Sequence, residues 1–193
     1  AKSVVSYFKP LYSSIVIAGH SQGSLVGLLA SESGVDGFIS LAGAGNTIDR
    51  IILEQISKAA PFFVEDTRRV FEVLKHGKTT KDFPPALASI FNLETQPFMS
   101  NWMQYNPQER IEKLDIPVLI INGTKDIQVS TSEAQLLKDH KTDAELIIIE
   151  NMNHLLFEID GDDLVNSKSY NEMHHPIMPE AITAILNFMC LFY

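Results

Sequence analysis

The sequence predicts an α/β fold in which a parallel sheet is flanked by helices. Two observations predict it. Short apolar runs alternate along the chain with segments of helical periodicity. The apolar runs are also nearly continuous, as expected of strands with both faces covered.

The elements follow in order. Residues 2–9 place Val4, Val5 and Phe8 on one helical face, and Pro10 stops that helix. Residues 14–18 (SIVIA) form a short β-branched run and read as a buried strand. SLVGLLASES then reads as a helix ended by Gly34. Residues 35–42 form a second strand, broken by Gly43-Ala44-Gly45. Residues 46–114 differ in character. Asn46 or Thr47 can cap a helix bearing Ile48, Ile51, Ile52 and Ile56, and a second helix holds Val70, Phe71 and Leu74. Pro84-Pro85 and Pro97 interrupt the remainder. Residues 117–122 form a third strand, followed by the turn Gly123-Thr124-Lys125-Asp126. Ser130-x-x-Glu133 reads as a capping box opening a helix through about Lys138. Residues 145–149 form a fourth strand, with Asn151-Met152-Asn153-His154 as the loop beyond it. A last helix starts at Pro179, with Ile182, Ile185, Leu186 and Met189 on its apolar face.

Composition narrows the function. The 193 residues suffice for one domain with a sizeable core. A net charge of -9 repels phosphate backbones, which argues against nucleic-acid binding and an anionic membrane surface. No apolar run approaches the ~20 residues of a membrane span. Cys190 is the single cysteine, so no disulfide forms within the chain, and its place in an apolar terminal helix predicts burial. His76 and His140 read as solvated. His174-His175 lacks a partner ligand at metal spacing, and Asp160-Gly161-Asp162-Asp163 reads as an acidic turn rather than a calcium loop. No signal peptide is visible, but the sequence starts at Ala1 without a methionine, so this says little about compartment; the localisation stays open, with a cytoplasmic setting as a weak expectation.

The chemistry sits at three strand ends. Gly19-His20-Ser21-Gln22-Gly23 lies between an apolar strand and a helix, where a nucleophile elbow belongs. The helix opening there aims free N–H groups at the site, so the Gln22 N–H can serve as an oxyanion donor. A serine hydroxyl needs a base, and the base needs a partner that fixes its tautomer. In parallel α/β sheets such groups lie beyond the C-terminal ends of strands. Asp126 follows the third strand and His154 the fourth. Asp115 precedes its strand, and Glu150 stands too close in sequence to His154 to be preferred.

These motifs, with Pro117-Val118-Leu119-Ile120-Ile121-Asn122 before Gly123-Thr124-Lys125-Asp126 and with Asn153-His154, resemble the α/β-hydrolase superfamily. The lid-bearing esterase and serine-aminopeptidase-like branch is the most similar. The resemblance implies Ser21 as nucleophile, Asp126 as acid and His154 as base. It implies a helical cap insertion over residues 46–114 and hydrolysis of a small-molecule ester or amide, with no cofactor and no metal. The chain departs from the pattern in one respect: it lacks the usual N-terminal strands before the nucleophile strand, and with them the second oxyanion donor. The expectation is therefore a partial domain whose strand 14–18 is left as an apolar edge. That edge would pair with a missing N-terminal segment or with a second copy in a homo-oligomer.

Six of the eleven phenylalanines and the single tryptophan fall within 46–114. Most of them are expected to form a small core of that insertion. Phe62, Phe63 and Trp102, with His20 beside the elbow, are the candidates for substrate contact. A serine aminopeptidase and a non-catalytic half-domain pairing through its sheet edge are the alternatives to an esterase.

Overall fold

The computed structural model describes residues 1–172 and 175–193. His174 of the His174-His175 pair lies outside the described residues. The chain divides into two compact units, Ala1–Gly45 with Pro107–Tyr193, and Asn46–Asn106.

The first unit is built on a parallel sheet of four strands, β1 (Val16–His20), β2 (Gly37–Leu41), β3 (Val118–Gly123) and β4 (Glu145–Ile149), in that spatial order. β1 therefore stands at an edge. Its helices are α1 (Lys2–Phe8), α2 (Gln22–Ser31), α7 (Pro107–Ile111), α8 (Thr131–His140), α9 (Asp163–Ser169) and α10 (Pro179–Met189). Side chains alternate across each strand and so feed two cores. Phe38, Val118 and Ile120 pack with Leu28 of α2, Ile111 of α7 and Leu137 of α8. Ile39, Leu119 and Ile121 pack with Ala181, Ala184 and Phe188 of α10. The sheet is thus covered on both faces, which is why its strands read as continuous apolar runs.

The second unit is helical: α3 (Ile48–Ala59), α4 (Val64–Lys75), α5 (Ala88–Phe91) and α6 (Gln96–Trp102). Its core holds Ile52, Val70, Phe71, Leu74, Leu87, Phe91 and Met99. The sequence pattern carries the insertion to residue 114. Residues 107–114 instead belong to the first unit, because Ile111 and Leu114 are buried under the sheet.

Four local expectations are corrected. On α10 the buried face is Ala181, Ala184 and Phe188, while Ile182 and Leu186 are exposed. Ile185 is partly buried against the same core, so of the expected face only Ile182 and Leu186 turn outward. On α1 only Val5 is buried, and Val4 and Phe8 are exposed. Cys190 is exposed at the end of α10. The capping box at α8 does not form: the Ser130 side chain makes no cap bond, and the buried Glu133 carboxylate accepts the Gly45 N–H at 2.9 Å.

Candidate active site

The sheet delivers three loops to its C-terminal edge. The first is the turn between β1 and α2. Gly19 is required there: a Cβ on it would lie 2.1 Å from the Gly23 carbonyl oxygen and 2.7 Å from the Ser24 Cα. Gly23 has no such role, since a Cβ there meets nothing within 4 Å. The unusual dihedrals fall on the serine rather than on the glycines. Ser21 has φ 54° and ψ -122°, a conformation L residues rarely adopt. Holding a residue there costs about 1–3 kcal/mol, so the surroundings must enforce it. The Ser21 N–H donates to the Leu41 carbonyl on β2 at 2.8 Å, and the Ser24 N–H donates to the Ser21 carbonyl at 2.9 Å. Gln22 is the first residue of α2, where N–H groups lack an acceptor within the helix.

The second loop follows β3. Gly123 allows a close approach, because a Cβ there would sit 2.0 Å from the Met152 carbonyl oxygen of the third loop. The Asp126 side chain is fully buried. Its Oδ1 accepts the N–H groups of Gln128 and Val129, each at 2.8 Å. Its Oδ2 faces the third loop.

The third loop follows β4 and carries His154, which is 3% exposed. Here the backbone folds back on itself. The Asn153 N–H donates to the Phe157 carbonyl at 3.0 Å, and the Ile159 N–H to the Asn151 carbonyl at 2.9 Å. Asn151 and Leu156 both have positive φ. The His154 Nδ1–H donates to Asp126 Oδ2 at 2.8 Å, and the Ser21 hydroxyl donates to His154 Nε2 at 2.9 Å. The structure thus brings Ser21, His154 and Asp126 into one hydrogen-bonded line.

His20 lies beside it. Its Nε2–H donates to the His154 carbonyl oxygen at 2.7 Å, and the two rings are 5.0 Å apart. This gives His20 a structural partner next to the elbow. The aromatic candidates belong to the second unit. Phe62 is 75% exposed and meets Phe63 with ring centres 4.4 Å apart and planes tilted by 56°, while Phe63 and Trp102 are half-buried against that unit's core.

One residue near the line escaped sequence reasoning. Tyr170, the residue that ends α9, holds a buried hydroxyl without a partner of hydrogen-bonding geometry. Burial first, and the nearby Asp126 carboxylate second, push its ionisation up to about 12. The sequence did carry a signal for α9. Asp162 accepts the Leu164 and Val165 N–H groups as an N-cap, so an acidic turn before Leu164-Val165 was a helix start.

Among the described residues, no group of three or more His, Cys, Asp or Glu could hold a metal ion, and no helix is long and apolar enough to cross a membrane. His175 is bonded to Glu172 at 2.6 Å.

Comparison with solved structures places this architecture. A hydrolase from Pseudomonas aeruginosa PA01 matches 97% of this chain and 69% of its own at a TM-score of 0.52 and 15% identity. The Pyrococcus furiosus esterase PF2001 matches 88% of this chain and 56% of its own at a TM-score of 0.52 and 16% identity. The chain has the α/β-hydrolase fold. A curated relative, esterase EstD of Thermotoga maritima, is 25% identical over 157 residues, covering 77% of this chain. The chain spans 37% of that relative's length. No family model matches. Within the α/β-hydrolase frame, Ser21, Asp126 and His154 all stand where strands end, which is where loops from separate strands can converge.

Proposed function

We propose that the chain carries the nucleophile, base and acid of a serine hydrolase that cleaves carboxylic esters. The observation that carries this reading is the line Ser21 Oγ, His154 Nε2 at 2.9 Å and Asp126 Oδ2 to His154 Nδ1 at 2.8 Å, with Ser21 held in a strained elbow. In the first step His154 Nε2 takes the Ser21 proton as Oγ attacks the ester carbonyl. Asp126 holds the Nδ1–H tautomer and stabilises the imidazolium. The oxyanion is assigned to the Gln22 N–H at the start of α2. The imidazolium then returns its proton to the leaving alcohol. Water next attacks the acyl-enzyme, with His154 again as base, and releases the acid and free Ser21. Every step balances with protein groups and water. The likeness to esterase EstD supports an ester as substrate. A small to medium apolar acyl group is the class proposed.

The test is labelling with a fluorophosphonate, read by peptide mass spectrometry. Modification at Ser21, lost in Ser21→Ala with the fold retained, is expected. Equal labelling of that variant would remove Ser21 from the role. A panel of p-nitrophenyl esters set against aminoacyl-p-nitroanilides then fixes whether ester or amide is preferred.

A further inference from the structure

Helix α9 does not bury what a surface helix ordinarily buries. Its apolar residues Leu164 and Val165 are 62% and 47% exposed. The residues it buries are Asn166 and Ser169. An amphipathic helix normally docks through an apolar stripe, so a buried face made of two polar side chains needs another reason.

The reason is what these side chains touch. The Asn166 Nδ2–H donates to the Lys125 carbonyl at 2.6 Å, and its Oδ1 accepts from Asn153 Nδ2 at 3.3 Å. Lys125 immediately precedes Asp126, and Asn153 immediately precedes His154. One buried amide therefore joins the two residues that lead into the acid and the base. Asn153 is itself fully used. Its second Nδ2–H donates to Ser169 Oγ at 3.0 Å, and its Oδ1 accepts the Leu155 and Phe157 N–H groups at 2.9 and 3.0 Å. Ser169 Oγ–H closes the set by donating to the Asn166 carbonyl at 2.7 Å. Asn153 and Asn166 are both completely buried. In a site of low dielectric such a saturated network has one arrangement, and breaking one member leaves others unpaired.

We propose that Asn166 is a positioning residue that sets the Asp126–His154 alignment, acting through Lys125 and Asn153 with Ser169 as support. The inference rests on the serine hydrolase reading above. A side-chain amide suits the task because it holds a donor and an acceptor on one rigid plane, and so can clamp two loops at a fixed separation. Hydrogen-bonded proton relays are sensitive to that separation: a misplacement of about 1 Å can cost ~100-fold in rate.

The experiment uses Asn166→Asp, which keeps shape and the acceptor for Asn153 but removes the donor to Lys125. Three readouts are taken on the full chain: thermal melting, the low-field proton resonance of the His154 Nδ1–H held by Asp126, and the rate of Ser21 labelling by a fluorophosphonate. The expected result is a folded variant whose resonance is shifted or broadened and whose labelling slows by about 10- to 100-fold. In an Asp126→Asn background the same change should add less than about twofold, because a residue acting through the acid has nothing left to act on. A folded variant with wild-type resonance and labelling overturns the proposal. So does an equal slowing in both backgrounds, which is the mark of unrelated structural damage. Should Asn166→Asp fail to fold, Ser169→Ala carries the same readouts, with a slowing of about tenfold expected and the same two overturning results. A wild-type chain not labelled at Ser21 counts against the hydrolase reading alone, and the low-field resonance still decides the Asn166 tie.

Discussion

The two units of this chain are stabilised in different ways. The second unit, Asn46–Asn106, is packed helices around Phe71, Leu74 and Phe91, and its single positive φ among the described residues is at Gly77. The first unit carries all four described non-glycine residues with positive φ: Ser21, Ala42, Asn151 and Leu156. Three of them, Ser21, Ala42 and Asn151, fall just beyond the C-terminal ends of β1, β2 and β4. The first unit also buries Asn153, His154, Asn166 and Ser169 close together. Strain and buried polar groups both oppose folding unless over-determined by their surroundings. Buried polar groups occur in both units, since the second buries Asp49, Thr67 and Gln96, so what sets the first unit apart is its four non-glycine residues with positive φ, three of them just past strand ends.

The sharpest way to break this contrast is Asp126→Asn. The amide would keep the Gln128 and Val129 N–H bonds at its oxygen but would turn an NH2 toward His154 Nδ1. The ring would then carry its proton on Nε2, where it could not accept from Ser21. Labelling and turnover should fall by about 10⁴-fold while melting changes little. The opposite profile is expected in the second unit. Phe71→Ala removes a ring that is 1% exposed and packs edge-on against Phe91 at 5.2 Å, and it should lower unfolding free energy by about 3–5 kcal/mol. Denaturant titration reads the second effect and Ser21 labelling the first. A large stability loss in Asp126→Asn, or a small one in Phe71→Ala, would erase the distinction.

How far the sequence reveals all this depends on the range of each signal. The four strands, the elbow and the order Ser21, Asp126, His154 are carried by contiguous runs and short motifs, and the structure brings those three side chains together. The Asn166 tie was not legible. Its partners lie 13 and 41 residues away, and an asparagine in a polar stretch looks the same whether solvated or clamped. The face of α10 is only partly legible, for a different reason. Ile182, Ile185, Leu186 and Met189 repeat at helical spacing, but so do Ala181, Ala184 and Phe188; the latter set is buried on the sheet, Ile185 packs partly against it, and Ile182 and Leu186 face outward. Periodicity finds a helix, and the volume available beneath it chooses the face.

The elbow offers a paired test of smaller size. Gly19→Ala places a methyl 2.1 Å from backbone that cannot turn aside, so the turn must open. A loss of at least about 1–3 kcal/mol is expected, with Ser21 labelling reduced in parallel. Gly23→Ala meets open space on α2 and should change stability by less than about 1 kcal/mol, toward the more stable side. Equal behaviour of the two variants would show that the motif's glycines act through chain flexibility rather than through one close approach.

The smallest effect expected is at Tyr170, and it appears only in alkali. Its ordinary ionisation near 10.0 is pushed up to about 12, chiefly by burial and then by the Asp126 charge, although the His154 and Ile127 backbone and the Gln128 side chain lie close enough to temper the rise. In the folded protein the hydroxyl therefore holds its proton longer than in the unfolded chain. Between pH 10 and 12 the folded state binds more protons, so this group's contribution to stability is complete below pH 10 and is lost as pH rises toward 12. Tyr170→Phe removes that group and a hydroxyl that has no partner of hydrogen-bonding geometry. At pH 7 the variant should lie within about 1 kcal/mol of wild type. Denaturant midpoints of the two proteins should then converge, or cross in favour of the variant, as pH is raised from 9 to 12. A constant difference across that range would mean that the Tyr170 hydroxyl is equally free to ionise in both states, and that water reaches it more readily than its burial implies.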